Sequence, residues 1–416
     1  MRGWRCGALA AAIMMAGSAP AIGQTGATPP AATATTPAQR APVTVLVSID
    51  GFRADYLTAD VAPNLSALAA GGISAAMRPS FPSTTFPNHY TLVTGLVPDR
   101  SGIVGNRMED ARRPGKVFTM QTDDPFWWTE AEPIWVTAEK AGIRTATMFW
   151  PGSNVDWNGT RPSDWWPFNG AVSDRQRVDA VIDWLRRPAS NRPQLVTLYF
   201  DEVDHAGHDF GPDADETRAA VRHVDKAIGR LRAGIAGLGQ PVNLVIVADH
   251  GMAGISQDRI VRLDKMLPRN SFTSVAGGSY VAITPNPKKA AKVEQKLLGQ
   301  HDHFACYRKA ELPARLHYGT NQRVPPIICL VETGWLALTE APDPNRRPSR
   351  GAHGYDNAAP EMLALFIANG PAIKPLGTIP TFDNVDVAPL LRDLIGLPQD
   401  PELDGNDAPF RAALGK

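Results

Sequence analysis

The sequence predicts an α/β protein: a central, mostly parallel sheet with helices on both faces and a small inserted subdomain. Three observations predict it. Short apolar runs rich in β-branched residues recur along the chain, the pattern of strands buried on both faces. Segments with helical spacing alternate with them, as parallel strands joined by crossover helices require. The alternation lapses between about residues 256 and 348, where short strands surround one helix.

The elements follow in order. Residues 43–49 form the first buried strand. Residues 63–70 and 86–94 carry helical spacing. A strand is expected at 144–149, a helix at 175–186, a strand at 195–200, a long helix at 215–235 and a strand at 242–248. Inside the irregular stretch, strands at 279–284 and 327–331 flank a helix near 287–298; a last strand falls at 362–367. The 416 residues suit one large α/β unit with an appended lobe, spanning about residues 43–400, with 401–416 as a C-terminal tail.

Composition excludes several classes. Hydrophobic residues make up 43% and charged residues 20%, enough apolar material for a core and too much for a disordered chain. Lys plus Arg number 42 against 42 for Asp plus Glu, so no net field gathers polyanions, and binding to nucleic-acid polymers is not expected. The first 23 residues resemble a cleavable signal peptide. Arg2 and Arg5 precede an apolar run from Ala8 to Gly17, and Ala19-Pro20-Ala21 offers small residues for cleavage. Residues 24–42, rich in Thr, Ala and Pro, read as a flexible linker. No later stretch reaches the ~18 apolar residues of a membrane span. A periplasmic or secreted protein is expected. Loss of Cys6 with the signal would leave Cys306 and Cys329, which either pair as one disulfide or stay as buried thiols. The oligomeric state is not legible.

Acidic and imidazole groups gather where strands end, and in open α/β sheets ligands bind just past the carboxyl ends of strands. The first strand ends at Asp50. The strand at 195–200 leads into Asp201-Glu202-Val203-Asp204-His205-Ala206-Gly207-His208, and that at 242–248 into Asp249-His250. His353 stands in a polar turn before the last strand. Carboxylate–imidazole sets suit zinc and related divalent ions. The donors outnumber what one tetrahedral ion needs: Asp50, Asp249 and His250 suit one, Asp204, His208 and His353 another. Two metals about 4 Å apart stabilise the attacking and leaving oxygens of phosphoryl transfer. A nucleophile belongs between them, and Pro82-Ser83-Thr84-Thr85-Phe86-Pro87 supplies hydroxyls at a helix start, where an alkoxide and a phosphate are both favoured. The plain alternative is an N-cap hydroxyl.

These residues carry a resemblance. Val47-Ser48-Ile49-Asp50-Gly51-Phe52-Arg53, Thr85-Phe86-Pro87-Asn88-His89-Tyr90 and Gly102-Ile103-Val104-Gly105-Asn106 resemble segments of the nucleotide pyrophosphatase/phosphodiesterases, in the alkaline phosphatase superfamily. Glu132-Pro133-Ile134-Trp135, Phe149-Trp150-Pro151-Gly152-Ser153, Asp204 with His208, Asp249-His250-Gly251-Met252 and His353-Gly354 continue the match in the family's order. The resemblance implies an alkaline-phosphatase-like fold and a two-zinc site. In it Asp50, Thr85, Asp249 and His250 surround one Zn2+, and Asp204, His208 and His353 bind the other. It further implies Thr85 as nucleophile, Asn106 as amide donor to a phosphoryl oxygen, and Phe86 and Tyr199 on either side of a nucleobase. The substrates implied are small nucleotides such as ATP or dinucleotides, cleaved to nucleoside 5′-monophosphates through a phosphothreonine. Family members that prefer nucleotides keep a segment like residues 158–171, with Trp165, Trp166 and Asn169 here.

Two dications against three carboxylates and one alkoxide leave such a site neutral, which suits a monoanionic diester better than a dianionic monoester. A phosphomonoesterase of the same superfamily would want added cationic groups; no arginine stands beside the nucleophile in sequence, though Arg53, Arg78 or Arg107 could fold inward. A non-catalytic phosphate-binding relative is the remaining alternative. A sulfatase would need a C/S-x-P-x-R motif, which is missing. His205 is read as a surface or supporting residue, His301 and His303 as a solvated pair, and His89 as a helix-packing residue.

Overall fold

The computed structural model describes residues 40–343, 345 and 347–416. The expected signal peptide, and the linker up to residue 39, lie outside the described residues. Eight strands form the central sheet: β1 (Val43–Ile49), β2 (Ile73–Met77), β3 (Thr145–Met148), β4 (Asp164–Trp166), β5 (Leu195–Phe200), β6 (Val242–Val247), β7 (Ala364–Asn369) and β8 (Gly377–Thr378). Their order is β8-β2-β7-β6-β1-β5-β3-β4. All run parallel except β7, which is antiparallel to both β2 and β6. β1 is buried at every position, as a strand covered on both faces must be.

Two groups of helices provide the cover. One contains Pro63–Ala70, α2 (Asp174–Arg186), α3 (Glu202–Phe210) and α4 (Asp215–Leu238); the other contains α1 (Thr85–Thr94), Ile134–Lys140 and Val387–Ile395. α2 opens with a capping box, in which Ser173 and Gln176 satisfy each other's backbone donors. α3 is absent from the sequence-based reading, which treated its residues only as the continuation of a strand end. Val203, Ala206 and Phe210 do stand at helical spacing, but the run is short and has Gly207 inside it.

Between residues 272 and 331 a second, antiparallel sheet takes the order Phe272–Ala276, Tyr280–Pro285, Ile327–Val331, Phe304–Arg308, Gly299–His301. It has its own core, with Val281, Ile283, Val293, Leu297 and Ile327. Cys306 and Cys329 face each other across neighbouring strands and form a disulfide. The last segment, expected to trail as a tail, instead buries Phe410 in the main core against Phe366 and Phe382. Among the described residues no helix is long and apolar enough to cross a membrane.

Candidate active site

Strand register brings the acidic ends together. Ser48 of β1 pairs with Tyr199 of β5 and Val247 of β6, so the three strands finish level, and Asp50 and Asp249 follow within three residues. Gly51 turns the chain away from β1 at φ +67° and donates its N–H to Asp249 Oδ1 at 3.2 Å. α3 begins directly after β5 and presents Asp204 and His208 one turn apart. His353 arrives from across the molecule. The two-residue strand Gly351–Ala352 pairs with Ala253–Gly254, just beyond β6, and delivers it.

The histidines show what the site is built to hold. His208 Nδ1 faces Gly351 O at 2.9 Å, His250 Nδ1 faces Gly251 O at 2.9 Å, and His353 Nδ1 faces Ser83 O at 3.0 Å. A carbonyl only accepts, so each Nδ1 carries the proton and each Nε2 offers a lone pair, the orientation that metal-binding imidazoles take. The Nε2 atoms of His208 and His353 lie 3.1 Å apart. Two lone pairs at that distance repel unless a cation draws on both. Asp204 lies 3.6 Å from each of these imidazoles. His250 Nε2 lies 2.9 Å from Asp249 and 3.5 Å from Asp50. Ligand atoms of Asp50, Asp249 and His250 fall within 4.8 Å of one another, and so do those of Asp204, His250 and His353. Asp50 Oδ1, Asp204 Oδ1 and Asp249 Oδ2 are buried without a hydrogen-bond partner among the described residues. Buried charges in that state cost several kcal/mol unless paired or metal-bound.

The electrostatics agree. Burial, then the nearby Asp249 and Asp204 carboxylates, pushes Asp50 well above the usual carboxyl range. Burial would also raise Asp249, but positive charge, on His250 and then His89 when no cation is bound, outweighs it and holds Asp249 low; a cation at the Nε2 lone pairs would replace that charge. His353 is pushed well below the usual imidazole range by burial, then by His250 and His208. These donors fit divalent cations in two adjoining sets.

Thr85 is the first residue of α1 and Thr84 its N-cap. Thr85 Oγ1 lies 3.4 Å from His250 Nε2, facing the donor sets. Phe86 N–H donates to Asn106 Oδ1 at 2.8 Å, which orients that amide and leaves its Nδ2 as the donor available to an incoming oxygen. Buried Arg323 steadies the Asn106 loop by donating to Gly102 O and Trp127 O and pairing with Asp110. His89 is a packed neighbour, as expected: its Nδ1 donates to Thr85 O at 2.9 Å, and its Nε2 accepts from Ser48.

A cavity of about 440 Å³ opens beside Thr85. Phe86 and Tyr199 both line it, together with Trp128, Phe149, Trp150 and Phe168. The Tyr199 hydroxyl donates to Asp50 Oδ2 at 2.6 Å, so this ring serves the donor cluster as well as the cavity. Phe168, which sequence reasoning passed over, is 56% exposed and meets Tyr199 edge to face. Its signal is its place inside the 158–171 segment, whose Trp165, Trp166 and Asn169 do not line the cavity. No Lys or Arg lines the cavity among the described residues. Arg53 pairs with Asp55 and Asp213, Arg78 with Asp383, and Arg107 is exposed. His205 lies at the rim near Asp201. His301 stacks on Phe304, and His303, in the turn between Gly299–His301 and Phe304–Arg308, faces Glu332 and stacks on Trp335, so the two are packed separately and do not form a solvated pair.

Residues 44–356 match the family described as type I phosphodiesterase / nucleotide pyrophosphatase. A bis(5′-adenosyl)-triphosphatase of Xenopus laevis is 38% identical over 365 residues, covering 86% of this chain and 79% of that protein. The ectonucleotide pyrophosphatase/phosphodiesterase family member 1 of Rattus norvegicus is 37% identical over 373 residues; the match covers 86% of this chain and 41% of that protein. Human ectonucleotide pyrophosphatase/phosphodiesterase 5 superposes with a TM-score of 0.84 at 32% identity, over 90% of this chain and 100% of that one. The murine counterpart was solved as an inactive threonine-to-alanine variant in complex with AMP. It gives a TM-score of 0.82 at 35% identity, covering 87% of this chain and 96% of that one.

Proposed function

Because the chain belongs to the type I phosphodiesterase / nucleotide pyrophosphatase family, we propose that it hydrolyses nucleotide phosphodiester and pyrophosphate bonds to nucleoside 5′-monophosphates with two zinc ions. The observation that carries this reading is the position of Thr85, between buried carboxylate oxygens that lack hydrogen-bond partners among the described residues and an aromatic cavity of nucleoside size. Asp50, Thr85, Asp249 and His250 would hold one ion; Asp204, His208 and His353 would hold the other. Zinc bound at such donors supplies charge for a deprotonated hydroxyl and for the departing oxygen.

The chain's own residues do the rest. The Thr85 Oγ1–phosphorus bond forms as the bond to the leaving oxygen breaks, giving a phosphothreonine. Water then cleaves that ester and releases the 5′-monophosphate. α1's N-terminus favours the anionic groups at Thr85. Asn106 Nδ2 donates to a non-bridging phosphoryl oxygen, its direction set by the bond from Phe86 N–H. Phe86 on one wall, with Tyr199 and Phe168 on the other, flanks the base.

The cavity's lack of cationic side chains favours a diester over a phosphomonoester substrate. The AMP complex of the murine relative supports a nucleotide as the occupant. The disulfide and the signal-like N-terminus support a periplasmic or secreted enzyme. A side-by-side assay of a p-nitrophenyl nucleotide diester and p-nitrophenyl phosphate on the zinc-loaded protein tests the reading. A strong preference for the diester is expected; faster turnover of the monoester would overturn it.

A further inference from the structure

Arg177 of α2 has only 2% of its side chain exposed, yet it reaches three segments of the cavity wall. Its Nε donates to Val172 O at 2.9 Å, and its Nη1 donates to Tyr199 O at 3.1 Å and to Asp201 at 2.7 Å. The guanidinium carbon lies 5.2 Å from the centre of the Phe149 ring and 5.9 Å from that of Phe168. Those rings meet edge to face at 5.5 Å. Phe149, Phe168, Tyr199 and Asp201 all line the cavity, whereas Arg177 stands behind them.

Two features of this wall call for support. Phe149 has φ +59°, a left-handed conformation that a bulky residue keeps only where its surroundings hold it. Phe168 is largely exposed and has little packing of its own. A guanidinium answers both needs. It is permanently charged and planar, donates in several directions at once, and lies against aromatic rings. A lysine keeps the charge beside Asp201 but not the fork or the flat face.

We propose that Arg177 is a positioning residue for the nucleoside wall, fixing Phe149, Phe168 and the Tyr199 backbone so that substrates with a base bind well. The inference rests on the proposed nucleotide reading of the cavity. It separates binding of the base from chemistry at phosphorus, because Arg177 supports the wall and touches none of the proposed metal ligands.

The test uses Arg177→Lys and Arg177→Gln on the zinc-loaded protein, with a p-nitrophenyl nucleotide diester and the base-free methyl p-nitrophenyl phosphate. Arg177→Lys should raise KM for the nucleotide about tenfold, the size of a lost desolvated cation–π contact, with kcat within about twofold. Its kcat/KM on the base-free diester should change by less than about threefold. Phe168→Ala should raise the nucleotide KM similarly, and combining it with Arg177→Lys should add little, because the two act through one wall. Equal losses on both diesters, no rise in KM, or effects that multiply in the double variant would overturn the proposal. Should Arg177→Gln fail to fold, Arg177→Lys and the double variant decide the question. A wild-type protein with no preference for the nucleotide over the base-free diester would instead overturn the nucleotide reading itself.

Discussion

At the scale of single residues, two adjacent threonines differ in what they face. Thr85 Oγ1 points at His250, while Thr84 Oγ1 is buried without a partner among the described residues. Thr85→Ala should keep its fold and its metal but lose several orders of magnitude in kcat, as expected when a covalent route is removed; Thr84→Ala should retain most activity. The reverse ranking in a steady-state assay would move the nucleophile by one position. Tyr199 serves both the cavity and Asp50, and two substitutions separate its roles. Tyr199→Phe keeps the ring and strands Asp50 Oδ2, so metal affinity or kcat should drop about 10-fold with KM near wild type. Tyr199→Ala should raise KM for nucleotides as well, read from the same saturation curves. The acidic and imidazole donors other than His353 were legible in the sequence because each follows a strand end or sits four residues along from another; His353 showed only as a histidine in a polar turn. The Tyr199–Asp50 bond and the Phe168 ring were not, since both depend on how loops fold back over the sheet.

Individual elements set these residues in place, and the join between β1 and α3 is one of the tight ones. A Cβ on Gly51 would come within 2.9 Å of Asp204 Cα, at a backbone φ that L side chains avoid. Gly51→Ala should therefore push the start of α3 outward and carry Asp204 and His208 with it. A misplacement of about 1 Å can cost about 100-fold in rate, so kcat should fall by that order while circular dichroism stays native. Elemental analysis should show a loss of metal, and a variant with full metal content and full kcat would contradict this account. β1, β5 and β6 were legible as apolar runs; β2 was not, because Ile73-Ser74-Ala75-Ala76-Met77 is short and poor in β-branched residues. The direction of β7 was not, because periodicity records which residues are buried and not which way a strand runs. α3 escaped notice for a different reason: Val203, Ala206 and Phe210 stand at helical spacing, but the segment is only nine residues long and follows β5 with a single residue between.

For the whole molecule, the disulfide and the metal donors lie in different layers. Cys306–Cys329 closes a separation of 23 residues inside the second sheet. A closed loop of that size stabilises by about 3 kcal/mol. The double Cys→Ala variant should melt several degrees lower in calorimetry yet keep wild-type kcat below its transition. The Ser279 hydroxyl, just before the strand Tyr280–Pro285, donates to His353 O, so a loss of kcat well below the melting temperature would show that the disulfide steadies the metal donors through that contact. The seven donor residues run from Asp50 to His353, so no early portion of the chain holds them all. A polypeptide made from its N-terminus completes β1, β5 and β6 long before His353 exists, and until then Asp204 and His208 lack their third partner. If the second set holds an ion as proposed, its capture would belong to the end of the protein's birth: the pool that fills it would be whichever one surrounds the chain once residue 353 has emerged and folded back.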